Sequence, residues 1–124
     1  MEIAAKIVYG MFGSLFLVLG VIAVLAPAAA LPAEGQSSLM AHLVREQGAH
    51  AVFIGLMSFW CLRHLSQRGF VHYALLVFAA LFSAIHWSEF VSGNRTLLSP
   101  ILNTLPFLAL TLTAPRFSTR AHRP

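Results

Sequence analysis

Apolar positions in this chain come in runs longer than the strands and helices of a water-soluble core require. Residues 7–26 form a run of 20 without a charge; as a helix rising 1.5 Å per residue it crosses about 30 Å of hydrocarbon, and Pro27 ends it. A second run, residues 49–62, is shorter, but the helical pattern reaches back to about Ser38, so this helix has a polar outer end with Arg45 and Glu46 in its first turns. Residues 70–90 form a third run interrupted by His72, His86 and Glu89, and residues 97–114 a fourth containing Pro100 and Pro106. Pro106 is expected to bend the last helix, because proline removes a backbone donor and crowds the turn before it. The pattern predicts an all-α fold: one integral membrane domain over residues 1–124, a four-transmembrane-helix bundle with spans at 7–26, 45–63, 70–90 and 97–114. The Ala- and Pro-rich segment 27–36 has no period and is expected to be a loop outside the cytoplasm. The tail 116–124 is polar and basic.

Composition sharpens this picture. Only 10% of the residues are charged and 58% are hydrophobic, with mean hydropathy +0.78, whereas soluble domains carry about a quarter charged residues. The net charge of +4 and pI near 10.3 would suggest nucleic acid as a partner of a soluble chain, but here the basic residues lie between and beyond the apolar runs. They follow membrane orientation instead, since Lys and Arg are retained on the cytoplasmic side. Lys6, Arg63, Arg68, Arg116, Arg120 and Arg123 fall on one side and Arg45 and Arg95 on the other, so both termini are predicted to be cytoplasmic. Tyr9, Trp60 and Tyr73 then fall near the inner interface and Trp87 near the outer one, as amphipathic rings prefer.

Lys6, the first run and Ala26-Pro27-Ala28-Ala29-Ala30 also resemble a signal peptide with a small-residue cleavage site. The run exceeds the usual 7–15 residues, and Glu2 offsets Lys6, so the first span is read as a permanent helix. Cys61 is the only cysteine. It excludes an internal disulfide and is read as a small buried hydrophobe. Gly10, Gly13 and Gly20 are expected to let a neighbouring helix approach closely, within the bundle or in a second copy. Asn94-Arg95-Thr96 matches a glycosylation sequon on the predicted outer side and is taken as a chance match.

Polar residues inside apolar spans cost free energy and need a partner, a wet cavity or a function. His42, Glu46, His50, Phe53 and Met57 share a face of the second helix; His72, Ala79, Ser83, His86 and Phe90 share one on the third; Ser99, Asn103, Pro106, Leu110 and Thr113 share one on the fourth. Each stripe is expected to face the bundle interior. Counted from the basic end, Glu46 and His86 lie at a depth of roughly 25 Å, and His50 and Asn103 at roughly 18–20 Å. This gives a candidate polar cluster in the outer half of the membrane: Arg45, Glu46, His50, His86, Glu89 and Asn103.

Three readings of that cluster stand side by side. In the first, the groups bond across helices and fix their register: Arg45 with Glu89 or Glu46, His50 with Asn103, His86 with Glu89. In the second, Glu46, His50, His86 and Glu89 are candidate ligands for a transition metal, or His50 and His86 for a haem, although the paired Glu-x-x-His arrangement of di-iron bundles is absent. In the third, Glu46 or Glu89 with a histidine passes protons to a quinone or a transported solute. No cofactor is assigned. No phosphate loop, nucleophile elbow or His-Glu-x-x-His motif occurs, so the leading expectation is a non-catalytic accessory or interaction subunit. Its partners would be the lipid bilayer and a membrane protein or a second copy, and not nucleic acid. The alternatives are a membrane oxidoreductase component and a small dimeric transporter.

A glycine-dotted first span, the loop "LAPAAALPAEG", a second helix opening with "REQGAH" and a prolyl fourth span together resemble small bacterial four-span membrane proteins of the DoxX-like group, over roughly residues 5–115. The resemblance implies a four-helix architecture in a bacterial inner membrane. Some members are linked to quinone-dependent oxidation of sulfur compounds, but no diagnostic site residue of theirs aligns with this chain.

Overall fold

The computed structural model describes residues 2–31 and 37–115. Among these, four α-helices and one short 3-10 turn form the fold, with no strand: α1 (Glu2–Leu25), the turn Pro27–Ala30, α2 (Ser38–Arg63), α3 (Gly69–Val91) and α4 (Leu98–Leu112). Helix α1 begins a turn before the apolar run, where Lys6 Nζ reaches Glu2 Oε1 at 2.9 Å in an exposed i,i+4 pair. Helix α2 takes in the polar segment because Ser37 caps it, its hydroxyl accepting from the Met40 N–H at 3.2 Å. The segment expected to be a loop opens with the 3-10 turn at Pro27–Ala30; its residues 32–36, and the tail 116–124 with Arg116, Arg120 and Arg123, lie outside the described residues.

Helix α3 stops at a Schellman motif: Asn94 N–H donates to the Glu89 carbonyl and Gly93 N–H to the Phe90 carbonyl, both at 2.9 Å, with Gly93 at φ 76. Helix α4 runs through Pro106 unbroken. Pro100 sits in its first turn, where a missing N–H costs nothing.

The helices assemble as two antiparallel pairs. A glycine seam joins α1 to α2. A methyl group placed on Gly20 would lie 2.6 Å from the Val52 nitrogen and 2.7 Å from the Gly48 carbonyl; one on Gly48 would lie 2.8 Å from the Gly20 carbonyl, and one on Gly55 3.0 Å from the Gly13 carbonyl. Gly13 faces Gly55 and Gly20 faces Gly48, so the seven-residue spacing in one helix is matched in the other and the backbones meet without side chains between them. Gly10, by contrast, has open space around it.

Helices α3 and α4 pair through hydroxyls, with Ser83 and Thr104 bonded at 2.7 Å and the Trp87 indole N–H donating to Thr104 Oγ1 at 3.0 Å. The two pairs meet around Ala5, Tyr9, Phe12, Cys61, Leu75, Ala79 and Leu110, all buried, and Phe16 meets Phe78 edge-on at 5.9 Å between centroids.

Large apolar side chains remain exposed on every helix, among them Val18, Phe53, Leu81 and Leu108. Helices α1 and α3 are each long and apolar enough to cross a membrane. Helix α4 is apolar but has only 15 residues, about 22 Å of rise.

Candidate functional site

The six residues of the sequence-derived cluster divide between the two helix pairs. On the α3/α4 side, Glu89 Oε2 lies 3.1 Å from Arg95 Nε and 3.6 Å from His86 Nδ1. His86 Nδ1 and Ser99 Oγ share a hydrogen bond at 3.2 Å, and the Asn103 amide donates to the Ser99 carbonyl at 2.8 Å. His86, Glu89 and Asn103 are thus tied into one chain of contacts through Ser99, and the cation that completes it is Arg95. The expected His86–Glu89 pair is present; the expected Arg45–Glu89 pair is not, because Arg95, six positions on and just beyond the Gly93 turn, reaches the carboxylate first.

Helix α2 behaves differently. Its stripe of His42, Glu46, His50 and Phe53 is exposed rather than interior. Gly48 and Gly55 dock on α1, and at 100° per residue Glu46 and His50 each point about 160° away from Gly48. Glu46 pairs with His42 at 3.2 Å along the helix surface. Arg45 is exposed and forms no ion pair with Glu46 or Glu89. His50 makes no hydrogen bond to Asn103, whose amide is taken by Ser99. The stripes of α3 and α4 do face inward: His72, Ala79, Ser83, Leu110 and Thr113 are buried.

His50 and Asn103 nevertheless line the same cleft, a space of about 670 Å³ between the two helix pairs. Its walls include Phe12, Phe16, Phe78 and Phe82, with Gln47, His50 and Asn103 as the polar groups. His86 is not among the lining residues, though its ring packs against Phe82, which is. Among the described residues, no group of three or more His, Cys, Asp or Glu side chains gathers to hold a metal ion.

A second polar centre, at the end of the molecule bearing Lys6, escaped the sequence reading. Tyr9 Oη and His72 Nδ1 share a hydrogen bond at 2.5 Å, and both residues are wholly buried. The Arg68 guanidinium lies 5.7 Å from the Tyr9 ring centroid and donates to the Leu65 carbonyl at 2.8 Å and the Thr113 carbonyl at 3.5 Å. These contacts tie α1, α3, the α2–α3 turn and the end of α4 together. Cys61 is buried beside them, as expected of a small hydrophobe. The sequence placed Tyr9 near the inner interface and His72 on the inward stripe of the third helix without joining them; their sharing a level on parallel helices, one turn from the basic end, was the available signal. At this same end Glu2, Lys6, Arg63 and Arg68 surround a surface depression.

No protein-family model, curated protein or solved structure matches this chain.

Proposed function

We propose that this chain is a four-span integral protein of the bacterial inner membrane, of the DoxX-like kind, with both termini cytoplasmic, acting as a non-catalytic accessory or interaction subunit. The observation that carries the reading is the outward polar face of α2. Glu46 stands two turns inside a helix whose opposite face is committed to the glycine seam, with Arg45 exposed beside it, in a molecule that otherwise exposes large apolar side chains on every helix. In a bilayer such a face is costly at hydrocarbon depth, and a partner helix offering charged or hydrogen-bonding groups satisfies it.

Two further features support the membrane reading. Helices α1 and α3 have the length and composition of spans, and Lys6, Arg63 and Arg68 collect at one end, as the cytoplasmic retention of basic residues requires. Helix α4, shorter than the hydrocarbon thickness, would be accommodated by local thinning at modest cost. His86, Glu89, Ser83, Ser99 and Thr104 of α3 and α4 bond to one another or to Arg95, a pattern that fits a register-fixing role and supports the interaction reading.

The test is purification of the tagged chain from its native membrane in mild detergent. A second membrane polypeptide, or a second copy, should accompany it, and the pair Arg45→Glu with Glu46→Lys should release that partner without lowering thermal stability. A solitary chain that moves a solute when reconstituted would refute the accessory role.

A further inference from the structure

The cleft between the helix pairs has the make-up of a ligand site. Its volume, about 670 Å³, falls within the roughly 300–1,000 Å³ in which proteins enclose one small molecule, mostly against apolar and aromatic side chains with a few placed polar groups. Its polar groups are grouped toward one end. Gln47 adjoins Gly48, which faces Gly20, and Asn103 adjoins Thr104, which is bonded to Ser83; Phe12 and Phe78 lie farther toward the Lys6 end on α1 and α3. The side chains of Gln47 and His50 make no hydrogen bond with the rest of the described chain. Asn103 spends one N–H on Ser99 and keeps a second N–H and its carbonyl oxygen. No Lys, Arg, Asp or Glu lines the space, so a head group is held there by hydrogen bonds and not by an ion pair with one of those side chains.

We propose that this cleft binds one single-chain amphiphile, a fatty acid or fatty alcohol, with its hydrogen-bonding head at Gln47, His50 and Asn103 and its chain lying against the wall formed by the Phe12, Phe16, Phe78 and Phe82 rings. The inference rests on the membrane reading, since only in lipid do Gln47 and His50 lack water as a partner. A two-tailed phospholipid is too large for the space, and the four phenyl rings offer a single hydrocarbon chain close apolar contact along its length.

The experiment uses the full chain in phosphatidylcholine nanodiscs with diazirine-bearing palmitic acid, photolysis and peptide mapping. Label should concentrate on peptides containing Phe16, Phe78 and Phe82, and should be displaced by unlabelled palmitic acid or hexadecanol. Which of the two displaces better identifies the head. Hexadecane, which has no head, should compete about tenfold less well. Ala51→Trp and, as a separate variant, Leu102→Trp fill the cleft from opposite helix pairs and should each abolish the displaceable label; His50→Leu with Asn103→Leu should weaken it about tenfold. Label spread equally over outward residues such as Val77, Leu81 and Leu108 and not displaced by excess palmitic acid would overturn the proposal, as would equal competition by hexadecane. Because the nanodisc itself reports membrane insertion, either failure would leave the membrane reading standing, while a chain that stays soluble without lipid would remove both.

Discussion

Tyr9 and His72, 63 positions apart in sequence, form the most buried polar contact in the described chain. Removing one partner strands the other, and an unmade buried hydrogen bond costs about 1–3 kcal/mol. Tyr9→Phe should therefore lower stability by that amount in denaturant titrations of the detergent-solubilised protein, and His72→Leu by a similar amount. The double variant should lose less than the sum of the two, because its surviving ring has no polar partner left to strand. Strict additivity would show that the contact carries no coupling. Among the described residues, Gly93, with φ 76, is the one position where a left-handed backbone demands glycine. Gly93→Ala should cost about 1 kcal/mol, and Gly93→Asn less, since asparagine tolerates the left-handed region.

For the elements, the glycine seam decides which face of α2 is inside. Gly20→Ala and Gly48→Ala each drive a methyl into backbone that cannot step aside. Overpacking of this kind costs about 1–3 kcal/mol or more, while Gly10→Ala, in open space, should be neutral or slightly stabilising, since alanine is the better helix former. Comparing the three by thermal unfolding in detergent tests the seam directly; a Gly10→Ala as damaging as Gly20→Ala would show that α1 packs by another face. The same seam explains why a polar stripe that looked internal is not. Periodicity shows that His42, Glu46 and His50 share a face, but it does not choose between that face and the one bearing Gly48 and Gly55. Close backbone approach wins because small residues permit it and the polar stripe does not.

For the molecule as a whole, the two antiparallel pairs put Ser66, in the turn after α2, at the Lys6 end and Asn94, in the turn after α3, at the other. In a Cys61→Ala background, single cysteines at these two positions should react differently with a membrane-impermeant maleimide: Asn94→Cys in intact cells, Ser66→Cys only after the cells are opened. Equal reactivity at both positions would contradict the proposed crossing pattern. Neither Arg45 nor Glu46 lines the amphiphile cleft, so charge reversal at these two residues should leave displaceable palmitate labelling unchanged.

Much of this arrangement was legible in the chain itself. Uninterrupted apolar runs, bounded by Pro27 and the Gly93 turn, determined the number of helices and most of their limits, because helix length and local chemistry are properties of neighbouring residues. The inward stripes of α3 and α4, and the His86–Glu89 pair one turn apart, followed from the same short-range arithmetic. Tertiary structure alone decided which helix faces which. It matched Gly13 and Gly20 with Gly55 and Gly48, turned Glu46 outward, gave Glu89 to Arg95, brought Tyr9 to His72, and opened the cleft shared by His50 and Asn103. Those outcomes depend on how closely two backbones can approach, a property of pairs of distant residues that no single helix's periodicity contains.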